Sequence, residues 1–518
     1  MATSGATLGE IIERNARLYP QRPALLYGAL RHSHAEHRSR VARLARGLRA
    51  AGLRHQDRFS VLAMNCPEFL ELYAAAQWGG TIVNTVNFRL AAPEIRWILE
   101  DAAPRLLVFE AQYAGLVEAL RAALPGIESY VCIGGPVPAW ARPYEDLLDP
   151  AGDADQPCGT GADYAALVYT SGTTGRPKGV LHTNRSLARI AEVLSSECRL
   201  GGDACLLAVA PLFHAGASTL SWGAQFRGGC VVLQRGFDAE EVIRTIERER
   251  VNAIHLVPTM VQALLDAPNF GRHDLSSLRM LMYAAAPMPL PLLRRAVAAF
   301  GPITYNGYGQ TEVNFITVLQ PHQHLLDGDP AQVRRLASVG QPHWQCAVRI
   351  VADDGSDCPA GTVGEVAARS ETAMAGYWNN TAATLATVRD GWVHTGDLGY
   401  LDEEGYLFLV DRKKDMIISG GENIYSREVE EALAPHPAVR EVAVIGVPHE
   451  KWGESVAAVV VLQPGQRAGA DELIAYCKSR IAPYKAPKSI VFTEALPRLN
   501  TGKIDKVALR RRHAAPAA

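Results

Sequence analysis

The stretch "YTSGTTGRPKGV", residues 169–180, decides how the rest of the chain is read. It follows the apolar run "DYAALV" and packs three glycines, four hydroxyl residues and Lys178 into twelve positions. Glycines permit tight turns, and successive backbone N–H groups in such turns face inward as an anion nest. Ser171, Thr173 and Thr174 add hydroxyl donors, and Lys178 adds a compact positive charge. A P-loop needs its lysine directly after glycine, whereas Lys178 follows Pro177. The stretch therefore reads as a phosphate cradle at the end of a strand, of a different kind from a P-loop. A solvated turn is the plainer alternative, and the density of small donors weighs against it.

Around this loop the pattern is that of βαβ units. "RFSVLAM", "RLLVFEA" and "SYVCIGG" are short apolar runs separated by helix-like stretches such as "CPEFLELYAAAQWGG". "CLLAVA", "CVVLQ", "AIHLVP" and "LRMLMYAAAP" continue the rhythm, which predicts largely parallel sheets. Around residues 345–412 short strands with turn signals predict a small antiparallel subdomain. After "DRKKD" a helix, two strands, a helix and a strand predict a compact α+β unit. The fold class is thus α/β, with a large N-terminal domain over residues 1–413 and a small α+β domain over 414–518. The tail "RRRHAAPAA" reads as frayed. In "AEHRSRVARLARGLRAAGL", Val41, Leu44, Ala45 and Leu48 share one helical face. That narrow, alanine-rich stripe fits packing inside a domain better than lying on a membrane.

Composition narrows the function classes. At 518 residues, with 48% apolar and 20% charged residues, the chain is an ordinary globular protein of several domains or subdomains. Fifty-two basic against 54 acidic residues leave a net charge of −2, which argues against a nucleic-acid partner. The nine cysteines include no C-x-x-C pair and make a poor disulfide framework. No secretory segment opens the chain, and no apolar run approaches the ~18 residues of a membrane span. These features predict a cytoplasmic protein without an integral membrane segment.

Three further stretches carry polar groups in glycine-rich settings. "YNGYGQTE", residues 305–312, places Tyr308 between glycines ahead of Thr311 and Glu312, offering an aromatic face, a phosphate donor and a carboxylate suited to Mg²⁺. In "GWVHTGDLG", Asp397 sits in a turn and offers the acceptor that a ribose requires. "LPRLNTGKIDK" presents Lys503 after an N-T-G turn. Taken singly, the last two read more simply as a turn-former and a surface charge.

Taken together and in order, these stretches, with "PLFHAGA", "YAAAPMP", "SVGQP" and "DRKKDMIISGGENIY", closely resemble the core motifs of the adenylate-forming superfamily, in its branch of acyl-CoA synthetases and fatty-acid–CoA ligases. The resemblance runs over nearly the whole chain. It implies that a carboxylate reacts with ATP to give an acyl-adenylate and pyrophosphate, and that the acyl group then passes to a thiol. By this resemblance Thr170, Ser171, Gly172, Thr173, Thr174, Gly175 and Lys178 hold the β- and γ-phosphates. Thr311 would meet the α-phosphate and Glu312 would bind Mg²⁺. Tyr308 would stack on adenine, with Ala285 and Ala286 completing the slot, and Asp397 and Arg412 would hold the ribose. Lys503 would stabilise the charge that builds when carboxylate attacks the α-phosphate. The C-terminal domain would rotate about Lys414 between half-reactions. Gly420, Gly421, Trp452 and Lys485, with Lys488 nearby, would line or meet the coenzyme A arm, and Arg89 would reach its nucleotide end.

For the acid, the resemblance implies a gate at His214 and a pocket from Ala215, Gly216, Tyr283, Gly307, Asn314 and Phe315. Amino-acid activators carry an Asp where this chain has Ala215, so an ammonium would lack its partner. A medium- or long-chain fatty acid is the first expectation. An aryl or cinnamic-type acid (benzoate, coumarate, ferulate) is the alternative, and a carrier protein in place of coenzyme A is a third. Partners are thus a small carboxylic acid, ATP and coenzyme A, with a homodimer as a candidate assembly. A non-catalytic nucleotide sensor would not need Lys503, Glu312 and the hinge together. A luciferase-like oxygenase would emit light with luciferin and oxygen.

Overall fold

A computed structural model describes residues 7–170, 177–286, 288–413, 415–419, 422–449, 452–499 and 503–513. The chain forms two compact units, Met1–Val348 with Ala368–Val393, and Arg349–Ala367 with His394–Ala518.

Among its described residues the first unit carries an eight-stranded and a nine-stranded sheet. In the former, Arg58–Leu62 lies between Ile82–Thr85 and Leu106–Glu110, all parallel, and Tyr164–Thr170 adds parallel to Ile82–Thr85. These strands are almost wholly buried and carry near-continuous apolar runs, as parallel strands covered on both faces must. In the nine-stranded sheet, Cys205–Ala208, Ala253–Leu256, Met280–Ala284 and Thr304–Gln310 run parallel. Asn314–Leu319 then returns antiparallel to Thr304–Gln310. One core joins residues of both sheets, such as Val61 and Val108 with Leu206 and Met282, to residues of the helices His34–Ala50, Pro67–Gly79, Asn184–Glu197 and Ala215–Gln225.

Helix His34–Ala50 shows how local signals and packing agree. Ser33 and Glu36 form a reciprocal capping box at its start. Val41, Leu44, Ala45 and Leu48 are buried in the shared core, while Arg38, Arg40 and Arg46 pair with Glu13, Glu71 and Asp149. Burying each leucine contributes roughly 1.5–3 kcal/mol, which holds this helix inside the protein.

In the second unit, Leu407–Arg412 pairs antiparallel with Trp392–Leu401, as the turn-rich sequence predicts. Helix Ser426–Leu433 packs with a long antiparallel ladder of Val439–His449 and Gly453–Leu462, and Ser489–Phe492 adds parallel to the second of these. The β-branched run "SVAAVVVL" supplies Val456, Val460 and their neighbours to this unit's core, with Leu473 from helix Ala470–Lys478. The expectation of a frayed tail from Arg510 needs correction. Helix Lys506–His513 continues through Arg510, because Leu509 is buried, the Asp505 carboxylate accepts from the Ala508 N–H, and Arg510 pairs with Asp415 at 2.8 Å.

All nine cysteines are free thiols. Among the described residues no helix is long and apolar enough to cross a membrane.

Candidate active site

The opening loop joins two strands of an antiparallel hairpin. Tyr164–Thr170 pairs with Lys178–Thr183, and Thr170 opposite Lys178 is the last rung before the turn. The Thr170 hydroxyl donates to the Lys178 carbonyl at 3.4 Å. Ser171, Gly172, Thr173, Thr174 and Gly175 lie outside the described residues. The Lys178 Nζ stands 4.9 Å from the centroid of the Tyr377 ring, a cation–π contact. The Tyr377 hydroxyl in turn donates to Glu312 Oε1 at 2.8 Å. Burial, reinforced by the Glu312 carboxylate, raises the Tyr377 phenol, which keeps its proton and remains a donor. The fold thus links Lys178 to the carboxylate of "YNGYGQTE" through a tyrosine.

That second motif is a tight hairpin between Thr304–Gln310 and Asn314–Leu319. A Cβ on Gly309 would stand 1.7 Å from the Asn314 carbonyl oxygen, so only glycine fits there. Asn314 takes the left-handed conformation at φ 64°, and its amide donates to the Thr372 carbonyl at 3.1 Å. The Met374 N–H donates to the Glu312 carbonyl at 2.8 Å. Behind Thr311, the buried His182 Nε2 lies 2.8 Å from its carbonyl oxygen. Burial lowers His182 to about 4, so its ring is neutral at pH 7 and donates to that oxygen. Thr311, Glu312 and Asn314 are clamped from two sides before any ligand arrives.

Ala285 and Ala286 follow the C-terminal end of strand Met280–Ala284, where ligands bind in parallel α/β sheets. Ala285 has φ 70°, a left-handed conformation that costs an alanine roughly 1–2 kcal/mol. Tyr308 is buried on the neighbouring strand.

The acyl-pocket expectation needs one correction. Side chains alternate along a strand, so Tyr283 shares a face with Leu281, while Met282 and Ala284 share the other. Tyr283 stands on the face opposite Gly307 and lies 3.0 Å from His324 through its hydroxyl. The face that carries Gly307 also holds Met282 and Ala284, with Gly307 paired beside Ala284. A Cβ on Gly307 would meet the Phe315 ring at 2.7 Å and the Met282 sulfur at 3.4 Å, so the Phe315 ring lies directly over Gly307. His214 caps helix Ala215–Gln225, with Ala215 and Gly216 in its first turn. Gly216 faces His255, whose Cε1 would be 3.6 Å from a Cβ there. Gly216, Gly307 and Phe315 therefore belong to one neighbourhood on this face, and Tyr283 does not.

Arg89 is exposed and lies 5.5 Å from the centroid of the Phe88 ring. A separate cleft of about 510 Å³ is lined by Arg31, Arg235 and Arg248 among others. Each of those arginines is already paired, with Glu249, Glu110 and Glu241 respectively.

In the second unit, Asp397 and Arg412 face each other across paired strands, with Arg412 Nε 2.7 Å from Asp397 Oδ1. Asp397 is buried and the Thr395 hydroxyl accepts from its N–H, so the two ribose candidates form one preset pair. The Lys503 carbonyl accepts from the Leu499 N–H at 2.7 Å, and the residue is exposed. Trp452 stacks on His449 at 4.4 Å. Lys485 donates to both carboxylate oxygens of Glu428, at 2.7 and 2.8 Å, so its charge is engaged within the protein. The neighbouring Lys488 is exposed. Lys414, Gly420 and Gly421 lie outside the described residues.

Sequence reasoning missed Tyr377, His182, Met282, Ala284 and His255. The first had a faint local signal, an aromatic directly after glycine in "AMAGYWNN". The others had none, since each acquires its role by facing a distant segment.

The first unit thus holds a positioned carboxylate at Glu312, and the second holds a preset Asp397–Arg412 pair. The AMP-binding enzyme family profile matches residues 12–378, and that of the AMP-binding enzyme C-terminal domain matches 428–503. A feruloyl-CoA synthase of Amycolatopsis sp is 39% identical over 508 residues, covering 98% of this chain and 99% of that protein. The long-chain-fatty-acid–CoA ligase FadD13 of Mycobacterium tuberculosis is 36% identical, covering 98% and 99%. Among solved structures, ATP-bound MatB from Rhodopseudomonas palustris is 28% identical with a TM-score of 0.88, covering 98% and 99%. The chain belongs to the AMP-binding enzymes, in their acyl-CoA synthetase branch: it is an AMP-forming acid–thiol ligase that uses ATP and coenzyme A.

Proposed function

We propose that this ligase activates a compact aryl or arylalkenyl carboxylate in two half-reactions. The hairpin from Thr170 to Lys178 holds the β- and γ-phosphates, Thr311 meets the α-phosphate, and Tyr308 with Ala285 and Ala286 takes the adenine. Asp397 and Arg412 hold the ribose. Glu312 suits Mg²⁺, which takes one or two carboxylates together with phosphate oxygens. Tyr377 donates to one oxygen of Glu312, and the other oxygen would remain to hold the ion. When bound, the ion neutralises phosphate charge. Lys503 then stabilises the charge that develops as the acid attacks, pyrophosphate leaves, and the acyl-adenylate forms.

In the second half-reaction the domain over residues 414–518 turns about Lys414. Lys503 withdraws, and the thiol of coenzyme A enters past Gly420, Gly421 and Trp452, with Arg89 and Lys488 toward its phosphates. The thiol displaces AMP and leaves acyl-CoA. Nine free thiols fit operation in the cytoplasm.

One observation carries the choice of acid. The Phe315 ring lies over Gly307, 2.7 Å from where a Cβ would stand, and a ring in that position would shorten a slot along this face and suit a flat, compact acid. The 39% identity to a feruloyl-CoA synthase supports the same reading. A medium- or long-chain fatty acid is the second reading, favoured by the 36% identity to FadD13. The test is coenzyme-A-dependent AMP release with Mg-ATP across saturated acids from acetate to palmitate, with benzoate, cinnamate and ferulate. A maximum among the aromatic acids is expected; a maximum at octanoate or beyond would replace the aryl reading with the fatty-acid one.

A further inference from the structure

His255 lies on the same strand face as Met282, which in the proposed function lines the acid, and nothing in the two half-reactions uses it. It lies in strand Ala253–Leu256, paired in register with Met282. Its Cε1 edge is turned toward Gly216 in the first turn of helix Ala215–Gln225, at 3.6 Å from where a Cβ would be. Met282 in turn reaches to 3.4 Å of the Cβ position of Gly307, beside the Phe315 ring. The imidazole thus shares a face with Met282 and has its Cε1 edge beside Gly216.

Its Nδ1 is buried and has no hydrogen-bond partner among the described residues. Buried polar groups in folded proteins are nearly always paired, so an unpaired one beside Gly216 of the proposed acid pocket points to a partner supplied by the ligand. A neutral imidazole offers one N–H and one lone pair, and so can accept from or donate to a neutral hydroxyl, ether or amide. Burial alone lowers His255 to about 4, and no charged neighbour offsets it. At pH 7 the ring therefore carries no charge with which to hold a second carboxylate.

We infer that His255 determines acid specificity by hydrogen-bonding a neutral polar substituent, such as a hydroxyl, at the end of the acid remote from its carboxylate. This rests on the proposed acyl pocket, but the hydrogen bond is indifferent to whether the acid is aromatic or aliphatic. An interaction of this kind discriminates a hydroxylated acid from its bare analogue by about tenfold, and by more where the site's polar atom would otherwise stay unpaired.

The experiment measures kcat/KM for two matched pairs, cinnamate with 4-hydroxycinnamate and octanoate with 8-hydroxyoctanoate, in the wild-type enzyme, His255→Leu and His255→Gln. The wild type is expected to favour the hydroxylated member of the pair it turns over by about tenfold. His255→Leu should lose rate on that member and bring the ratio to within about twofold of one, whereas His255→Gln, which keeps a donor and an acceptor, should retain part of it. A ratio unchanged in His255→Leu, or no preference in the wild type, overturns the role of His255. Turnover confined to the aliphatic pair overturns the aryl reading while the His255 ratio is still read on that pair. Turnover of neither pair by the wild type overturns both.

Discussion

Tyr377 shows how much one side chain outside any glycine-rich stretch contributes. It lies 65 residues from Glu312, donates to one carboxylate oxygen and presents its ring to Lys178. Tyr377→Phe keeps the ring and removes the hydroxyl. With a hydrogen bond to a charged group worth roughly 1.5–3 kcal/mol, the variant should lose about ten- to a hundredfold in kcat/KM for Mg-ATP and need more Mg²⁺ for half-maximal rate. A magnesium titration of AMP release checks this, and an unchanged midpoint would remove Tyr377 from the site. Lys503 belongs to the same scale. Lys503→Ala should slow acyl-adenylate formation by at least ~10²-fold, as does losing one donor aimed at a developing oxyanion. Trapping the adenylate with hydroxylamine measures that step alone, and a near-normal rate would contradict the assigned role.

At the scale of elements, the hairpin from Thr304 to Leu319 is the most constrained piece of the site. Its turn is set by Gly309 against the Asn314 carbonyl and by the left-handed Asn314, and the segment carrying Thr372 and Met374 clamps it from outside. Gly309→Ala has no room for its methyl group and should lower the melting temperature by several degrees while abolishing detectable AMP release. Thermal unfolding followed by circular dichroism would test the first part directly. The second element-level prediction concerns the joint between half-reactions. Lys414→Pro should spare adenylation, since proline only restricts backbone rotation there, and cripple thioester formation. Pyrophosphate exchange and acyl-CoA production, measured on one preparation, separate the two, and equal loss of both would reject the hinge.

Across the whole molecule, burial makes stability depend on pH. His37 is held at about 3, and His182, His255, His324 and His343 at about 4, chiefly by burial. Unfolding returns each ring to its ordinary value of 6.5, so between roughly pH 6.5 and 4 the unfolded chain binds more protons than the folded one. Stability is therefore fully present above pH 7 and falls as pH is lowered, by up to about 1.4 kcal/mol per pH unit for each histidine. Melting temperatures should be level from pH 7 to 8 and drop steadily below 6.5; a flat profile down to pH 4.5 would show that these rings are hydrated.

The parts legible from sequence are those whose chemistry is carried by contiguous residues. Turns built from glycine, threonine and serine announce themselves locally, as do Asp397 in "HTGD" and Lys503 in "NTGK", because a tight turn dictates its own composition. Their order along the chain was enough to mark the family, and the shift from apolar runs to turn-rich strands was enough to mark the change of sheet type. What only the tertiary structure decided is which side chains face each other. In a strand the side chains alternate, so one position separates Tyr283, turned toward His324, from Met282 and Ala284 on the opposite face. His182 reaches Thr311 across 129 residues, Lys485 finds Glu428 across 57, and Leu509 finds a core that turns an expected loose tail into a helix. Local composition can specify a turn, but facing and pairing are set when distant strands fall into register, and that information is distributed over the whole core.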